Sequence, residues 1–181
     1  MEKVERTTVY FRKTGESNTE HVIRAVRSRL EEGDLKAVIV ASTSGATGLK
    51  FAESLKGKAQ ILAVSHEKME PSLKKKIESS GGKAIDQTHL PLHGEGMDAT
   101  RGTLYALGQG FKVAVEVILI ATDKDLVKPF ADVVGVGGTG TGADTAIVAR
   151  STRTSEAFGD DREKKLEIRE IIAMPLTKTW W

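Results

Sequence analysis

The chain has 181 residues, of which 39% are hydrophobic and 29% charged, with 27 Lys and Arg against 25 Asp and Glu for a formal net charge of +2. This composition suits one globular domain over residues 1–181, excludes a disordered chain, and gives no global positive field to draw nucleic acid or an anionic membrane. The lack of cysteine excludes disulfides, thiolate zinc centres and cysteine nucleophiles. Met1–Arg6 lacks the order of a signal peptide and no apolar run approaches ~20 residues, so the expected location is cytoplasmic. The interleaved Lys and Glu suit a thermophile source.

In chain order, Thr7–Phe11 reads as a short strand closed by Gly15. Ser17-Asn18-Thr19-Glu20 has capping-box spacing, and Val22, Ile23, Val26 and Leu30 recur at helical spacing until Gly33. Ala37–Ala41 is an unbroken apolar run, the pattern of a strand covered on both faces. Leu49, Ala52 and Leu55 form a helical stripe ended by Gly57, and Ile61–Val64 is a second buried strand with Ser65 and His66 at its end. Pro71 opens a helix that runs to Gly81-Gly82, and Lys83–Asp86 is a weaker strand. An irregular loop, Gln87–Gly96, precedes a helix capped by Asp98. Lys112–Leu126 carries both signals: its Val and Ile content suits a strand, while its length and the positions of Val113, Val117, Ile120 and Ala121 suit a buried helix. Val133–Val136 and Thr145–Ala149 read as strands joined by a hairpin, Ser151–Lys165 as a polar surface excursion, and Ile168–Leu176 as the last strand.

Two of these strands end in turns of the same chemistry. Ser42-Thr43-Ser44-Gly45-Ala46-Thr47 follows the first buried strand, and Gly137-Gly138-Thr139-Gly140-Thr141-Gly142 follows Val133–Val136. A phosphate dianion needs several donors converging without bulk in the way; glycine exposes amides, Ser and Thr add hydroxyls, and a following helix adds its positive end. Strands alternating with helices imply a parallel sheet, whose ligands bind beyond the strand C-termini where the strand order reverses. The two turns therefore point to a phosphorylated small molecule.

Ala37–Thr47 followed by Ile61–Ser65 resembles the C-terminal domain of pyruvate kinase. Lys112–Glu116 and Gly138–Ala146 look more like archaeal stand-alone relatives of that domain. The resemblance implies an α/β fold of three layers, α/β/α. Its mostly parallel sheet has the order 3-2-1-4-5 with strand 5 antiparallel, plus short terminal strand extensions. On that template Lys112–Leu126 is a helix, Val133–Val136 is strand 4, Asp144–Ser151 is strand 5, and the two turns face each other across one crevice. In the family the first turn holds a phosphate of a sugar-bisphosphate effector, which implies that role for Ser42, Thr43, Ser44, Gly45 and Thr47. Ala46 stands where many relatives carry a basic or larger residue. The stand-alone relatives look like flavin mononucleotide (FMN) binders, so FMN is the expected cofactor. No counterpart of the catalytic barrel is present, so no kinase activity carries over. Two further readings are an FMN-dependent oxidoreductase and an effector domain for a sugar phosphate or nucleotide. A homo-oligomer is compatible with all three, and neither nucleic acid nor membrane is an expected partner.

The expected cofactor-binding set is thus Ser42, Thr43, Ser44, Gly45, Thr47 and His66 from the first half of the chain. Gly137, Gly138, Thr139, Gly140, Thr141, Gly142 and Asp144 complete it. Asp144 suits an orienting role, its carboxylate accepting loop amides, and His66 is equally read as a ligand contact or a solvated loop residue. His89, His93 and Glu95 imitate a metal set but lack a rigid helix to space them, so no metal is expected. Glu116 and Asp123, seven apart, suit either an acid–base pair or a salt bridge and a solvated helix end. Trp180 and Trp181 suit stacking on a flavin, docking on a partner subunit, or terminal fraying.

Overall fold

The computed structural model describes residues 3–180; Met1, Glu2 and Trp181, on which parts of the leader and stacking expectations fall, lie outside the described residues. The elements are β1 (Val9–Phe11), α1 (Thr19–Leu30), β2 (Ala37–Ala41), α2 (Ala46–Ser54), β3 (Gln60–Val64), α3 (Pro71–Ser79) and β4 (Lys83–Ile85). After a long loop come α4 (Asp98–Leu104), α5 (Gln109–Asp123), β5 (Asp132–Gly137), β6 (Thr145–Arg150), α6 (Thr154–Ala157) and β7 (Glu167–Pro175). The seven strands form one mixed sheet of order β1-β7-β6-β5-β2-β3-β4. Pairings within β5-β2-β3-β4 are parallel, β6 is antiparallel to both β5 and β7, and β1 is parallel to β7. The five expected strands stand in the expected order as β4-β3-β2-β5-β6, and β7 and β1 continue the sheet beyond β6, the nine-residue β7 being longer than the short terminal extensions expected.

Side chains alternate along a strand, and here the alternation feeds two cores. Val38 and Val40 of β2 join Val22, Val26 and Phe51 on the face covered by α1 and α2. Ile39 joins Leu62, Phe111 and Ile118 on the face covered by α5. Because both faces are covered, the strands need no polar positions, which is why Ala37–Ala41 reads as a continuous apolar run.

The ambiguous stretch is a helix, and it starts three residues earlier than expected, at Gln109, and stops at Asp123. Gly108 sets the start, with φ of 96° at the N-cap. Nearly every residue from Gly110 to Thr122 is buried, so the helix shows no solvent-facing stripe and its periodicity is weak. The backbone of α5 lies directly on β5. A Cβ on Gly135 would meet the Ala114 carbonyl and Ile118, and one on Gly137 would overlap the Gly110 carbonyl and the Ala114 amide. As β5 runs from 135 to 137 its contacts move from 118 back to 110, so helix and strand are antiparallel.

The capping box at Ser17–Glu20 does not form. A 3-10 turn occupies Glu16–Asn18 and α1 begins at Thr19. The Thr19 hydroxyl donates to the Glu16 carbonyl (2.8 Å) and accepts the Ala143 amide (3.0 Å), which ties the start of α1 to the loop after β5. At the far end of α1, Arg29 forks onto both Asp34 (2.7 and 2.8 Å) and Glu170 of β7 (2.8 and 2.9 Å).

Gly135→Ala must separate α5 from β5, and overpacking of this kind costs about 1–3 kcal/mol; a urea titration of wild type and variant measures it. The Arg29 guanidinium holds the Asp34 carboxyl at about 2, below its ordinary 3.8. A depressed carboxyl contributes stability above its unfolded value and loses it as pH falls through the folded value. Denaturation midpoints should therefore drop between about pH 4 and about pH 2 more steeply for wild type than for Asp34→Asn. Solvent around the side chain, 55% exposed, keeps the difference small.

Candidate functional site

The first turn leaves β2 at Ser42 and enters α2 through Gly45, whose left-handed φ of 102° turns the chain into the helix. A helix N-terminus leaves amides without intrahelical partners. Two are satisfied locally: the buried Ser42 hydroxyl accepts the Gly48 amide (2.9 Å) and Ser44 Oγ accepts the Ala46 amide (3.3 Å). The amides of Gly45 and Thr47 have no partner among the described residues. Ser65 secures the turn from behind, donating to the Thr43 carbonyl (3.2 Å), while the Glu70 amide donates to the Ser44 carbonyl (3.0 Å). Gly48 is required by packing, since a Cβ there would sit 2.5 Å from that of Ala63.

The second loop is organised around Asp144, which is fully buried. One carboxylate oxygen accepts the amides of Gly15 (2.9 Å) and Thr139 (3.1 Å), and the other accepts the Thr145 hydroxyl (2.9 Å). Gly137 is taken up by contact with α5, while Gly138 lies against the Gly142 carbonyl. Gly142 has φ of 78° and lies against Thr19 and Glu16. The exposed crest is Gly140, with φ of 80°, and Thr141.

Both loops line one cleft of about 1070 Å³. Ser42, Thr43, Ser44 and Thr47 reach it from the first loop, Gly138, Gly140, Thr141 and Gly142 from the second, and His66 from the end of β3. Gly45, Gly137, Thr139 and Asp144 stand behind this lining and shape it. Away from the loops the cleft runs under α5 and the segment before α4, where Ala41, Val64, Val113, Val117 and Ile120 give it an apolar bed. His66 is exposed and 3.4 Å from Glu67.

Of a polar cluster in the apolar part, the sequence anticipated only the salt bridge of Glu116, and not its partners. Lys112 is 3% exposed, and its ammonium donates to Glu116 Oε2 (2.8 Å) and to His93 Nε2 (2.9 Å). Glu116 Oε1 accepts the Leu92 amide (3.1 Å), so Glu116 is an internal ion-pair partner and an anchor for the loop before α4. The available signal was a Lys and a Glu four apart in an otherwise apolar run; the arrival of His93 from a distant loop had none. Gln109 also lines the cleft, with its side-chain carbonyl oxygen buried and without a partner among the described residues.

The other candidates lie apart. His89 contacts Asp123 (3.0 Å), which also accepts the amide (2.9 Å) and hydroxyl (2.6 Å) of Thr154. Asp123 is thus a tie to α6 and not a solvated end, and it does not meet Glu116. Among the described residues no three His, Asp or Glu side chains are grouped as a metal site. Trp180 is exposed.

A family model described as the pyruvate kinase alpha/beta domain matches residues 20–149, well over half of the sequence. The chain belongs to that family. The match runs from α1 into β6 and so contains both loops and the whole of α5, while β1 and β7, which extend the sheet, fall outside it. Within the pyruvate kinase alpha/beta domain, β2 and β5 are the adjacent parallel strands at which the chain order reverses. The cleft therefore sits where an open α/β sheet binds its ligands.

Burial, and then the Lys112 ammonium, push the His93 imidazole below its ordinary 6.5, with Glu116 opposing. Lys112→Met should raise the His93 titration midpoint, read from imidazole proton shifts across a pH series. A depressed histidine stabilises the fold above its unfolded value and loses that contribution as pH falls through its folded one. Wild type should accordingly lose this increment of stability below about pH 6.5.

Proposed function

We propose that the cleft binds a phosphate monoester held between the β2 and β5 loops, and that the ligand is FMN. The observation that carries the reading is the convergence of two donor-rich loops at one end of a cleft whose other part is apolar. The unpartnered amides of Gly45 and Thr47 lie at the positive end of α2, and the hydroxyls of Thr43, Thr47 and Thr141 stand around the same space. The net charge of +2 supplies no general anion attraction, so affinity for a phosphate has to come from these local donors.

The remaining chemistry of the cleft suits the rest of FMN. The buried, unpartnered Gln109 oxygen offers an acceptor to a ribityl hydroxyl, which removes the penalty of an unsatisfied polar atom. The apolar bed under α5 suits a planar ring, and about 1070 Å³ is ample for a ligand of that size. When bound, FMN supplies electron-transfer chemistry. The protein's residues bind the phosphate, orient the ring and keep water from its face. Asp144 and Gly137 serve this indirectly, one by holding the second loop and the other by seating α5. Family membership supports the phosphate half of the reading, and the resemblance of Lys112–Glu116 and Gly138–Ala146 to stand-alone relatives that look like FMN binders is the ground for the ring half.

Calorimetric titration with FMN and with riboflavin, which lacks the phosphate, tests the assignment. Charge-assisted hydrogen bonds contribute about 1.5–3 kcal/mol each. Loss of two therefore weakens riboflavin by about two orders of magnitude or more, at 1.4 kcal/mol per tenfold. Ser44→Ala combined with Thr47→Ala should narrow the gap. Equal affinities for the two flavins would remove the loops as the anchor, and a sugar bisphosphate that outcompetes FMN would make the cleft an effector site instead.

A further inference from the structure

Phosphate binding leaves the ionic cluster on the α5 wall unexplained. The Lys112 ammonium has three hydrogens. One goes to Glu116 and one to His93, and no third partner is present among the described residues. Lys112 lines the cleft, so the unspent hydrogen belongs to a buried cation at the ligand's boundary. His93 Nε2 receives a hydrogen from the ammonium, which places the neutral ring's own hydrogen on Nδ1. Burial, and then Lys112, hold its pKa below the ordinary value. Val113 and Val117 of the same helix line the cleft beside it and belong to the apolar bed proposed above for a ring; Leu90 and Tyr105 line the same cleft.

We propose that Lys112 is the ring-recognition residue of the cleft. Its free N–H, flanked by His93, binds the carbonyl-bearing edge of the flavin ring and favours the negative charge that this edge takes up when the flavin is reduced. The inference rests on the FMN reading. It adds a second recognition point, on the α5 wall of the cleft, and gives it an electronic consequence: a cation beside the N1 side of a flavin binds the reduced ring more tightly than the oxidised one. Lys112 acts here by binding and by its field, and no proton transfer is required of it.

The test compares dissociation constants for oxidised FMN and for chemically reduced FMN under anaerobic conditions. Wild type should bind reduced FMN more tightly. Lys112→Met with Glu116→Gln removes cation and anion together, so that neither is left buried alone, and should lose that preference by about tenfold, equivalent to 1.4 kcal/mol. The FMN-to-riboflavin gap, set at the loops, should stay unchanged. Lys112→Arg should retain the preference. If the double variant fails to fold, His93→Glu replaces a side chain that is 41% exposed. It adds a second carboxylate to the ammonium and should abolish the preference. A folded double variant, or a folded His93→Glu, that keeps the wild-type preference overturns the role of Lys112 while leaving FMN binding intact. A wild type that binds FMN in neither state overturns the FMN reading and this inference with it.

Discussion

The direct contact between the backbones of α5 and β5 is the constraint on which the rest of the molecule depends. Side chains normally hold a helix off a sheet; Gly135 and Gly137 remove them from β5, so that α5 descends onto the strand, and Gly110 leaves room for Asp144 and Thr145 at its start. The closeness has three consequences. It buries the helix on nearly all sides, it brings the N-terminal turn of α5 level with the loop after β5, and it turns Lys112, Val113, Glu116 and Val117 toward the space under the loop before α4. The cleft is thus a by-product of where three glycines lie. Glycine in a strand is ordinarily a weakness, and here the lost propensity is offset by the apolar burial that α5 gains.

The second constraint is the buried Asp144 carboxylate. Its donors are the amides of Gly15, from the segment after β1, and of Thr139, from the loop it closes, with the hydroxyl of its neighbour Thr145, so one side chain ties the β1–α1 segment to the loop. Thr19 repeats the device on the same loop through the Ala143 amide. With its base held from two sides, the loop is left with a crest, Gly140 and Thr141, that can present amides and a hydroxyl without the rest moving. A loop fixed at its base and free at its tip is pre-organised for a ligand at low ordering cost.

What could be read in the sequence followed from what each residue reports locally. Val38–Val40 and Ile61–Val64 are apolar at every position, which requires cover on both faces, so the strands and the α/β class were legible. So were the two loops as breaks after buried strands, because runs of glycine and hydroxyl residues end an apolar strand. The start of α1 was not, because Thr19 finds its partners in Glu16 and in Ala143, more than a hundred positions away, and this competes successfully with the local capping box. Gly137 and Gly110 were opaque for the same reason: a glycine needed for close approach looks the same in sequence as one needed for a turn. The two terminal strands were legible as apolar segments, but their places at the β6 edge were not, because the backbone pairings of β7 with β6 and of β1 with β7 leave no local signal.

The Lys112–Glu116 pair bears on function through its cost. Two charges taken out of water seldom regain their desolvation energy from each other, and apolar residues of similar volume often serve stability equally well. The neighbouring positions on α5 are Val113, Ala114, Val115 and Val117, and a further aliphatic residue at 112 would simply continue that wall. The pair instead sits where α5 borders the cleft, satisfied on one side by His93 and the Leu92 amide. This ionic expense therefore falls at a boundary of the core that the cleft opens to a ligand. Placed there, the ammonium keeps one hydrogen and a local positive field for whatever meets that wall of the cleft, which an aliphatic side chain could not offer.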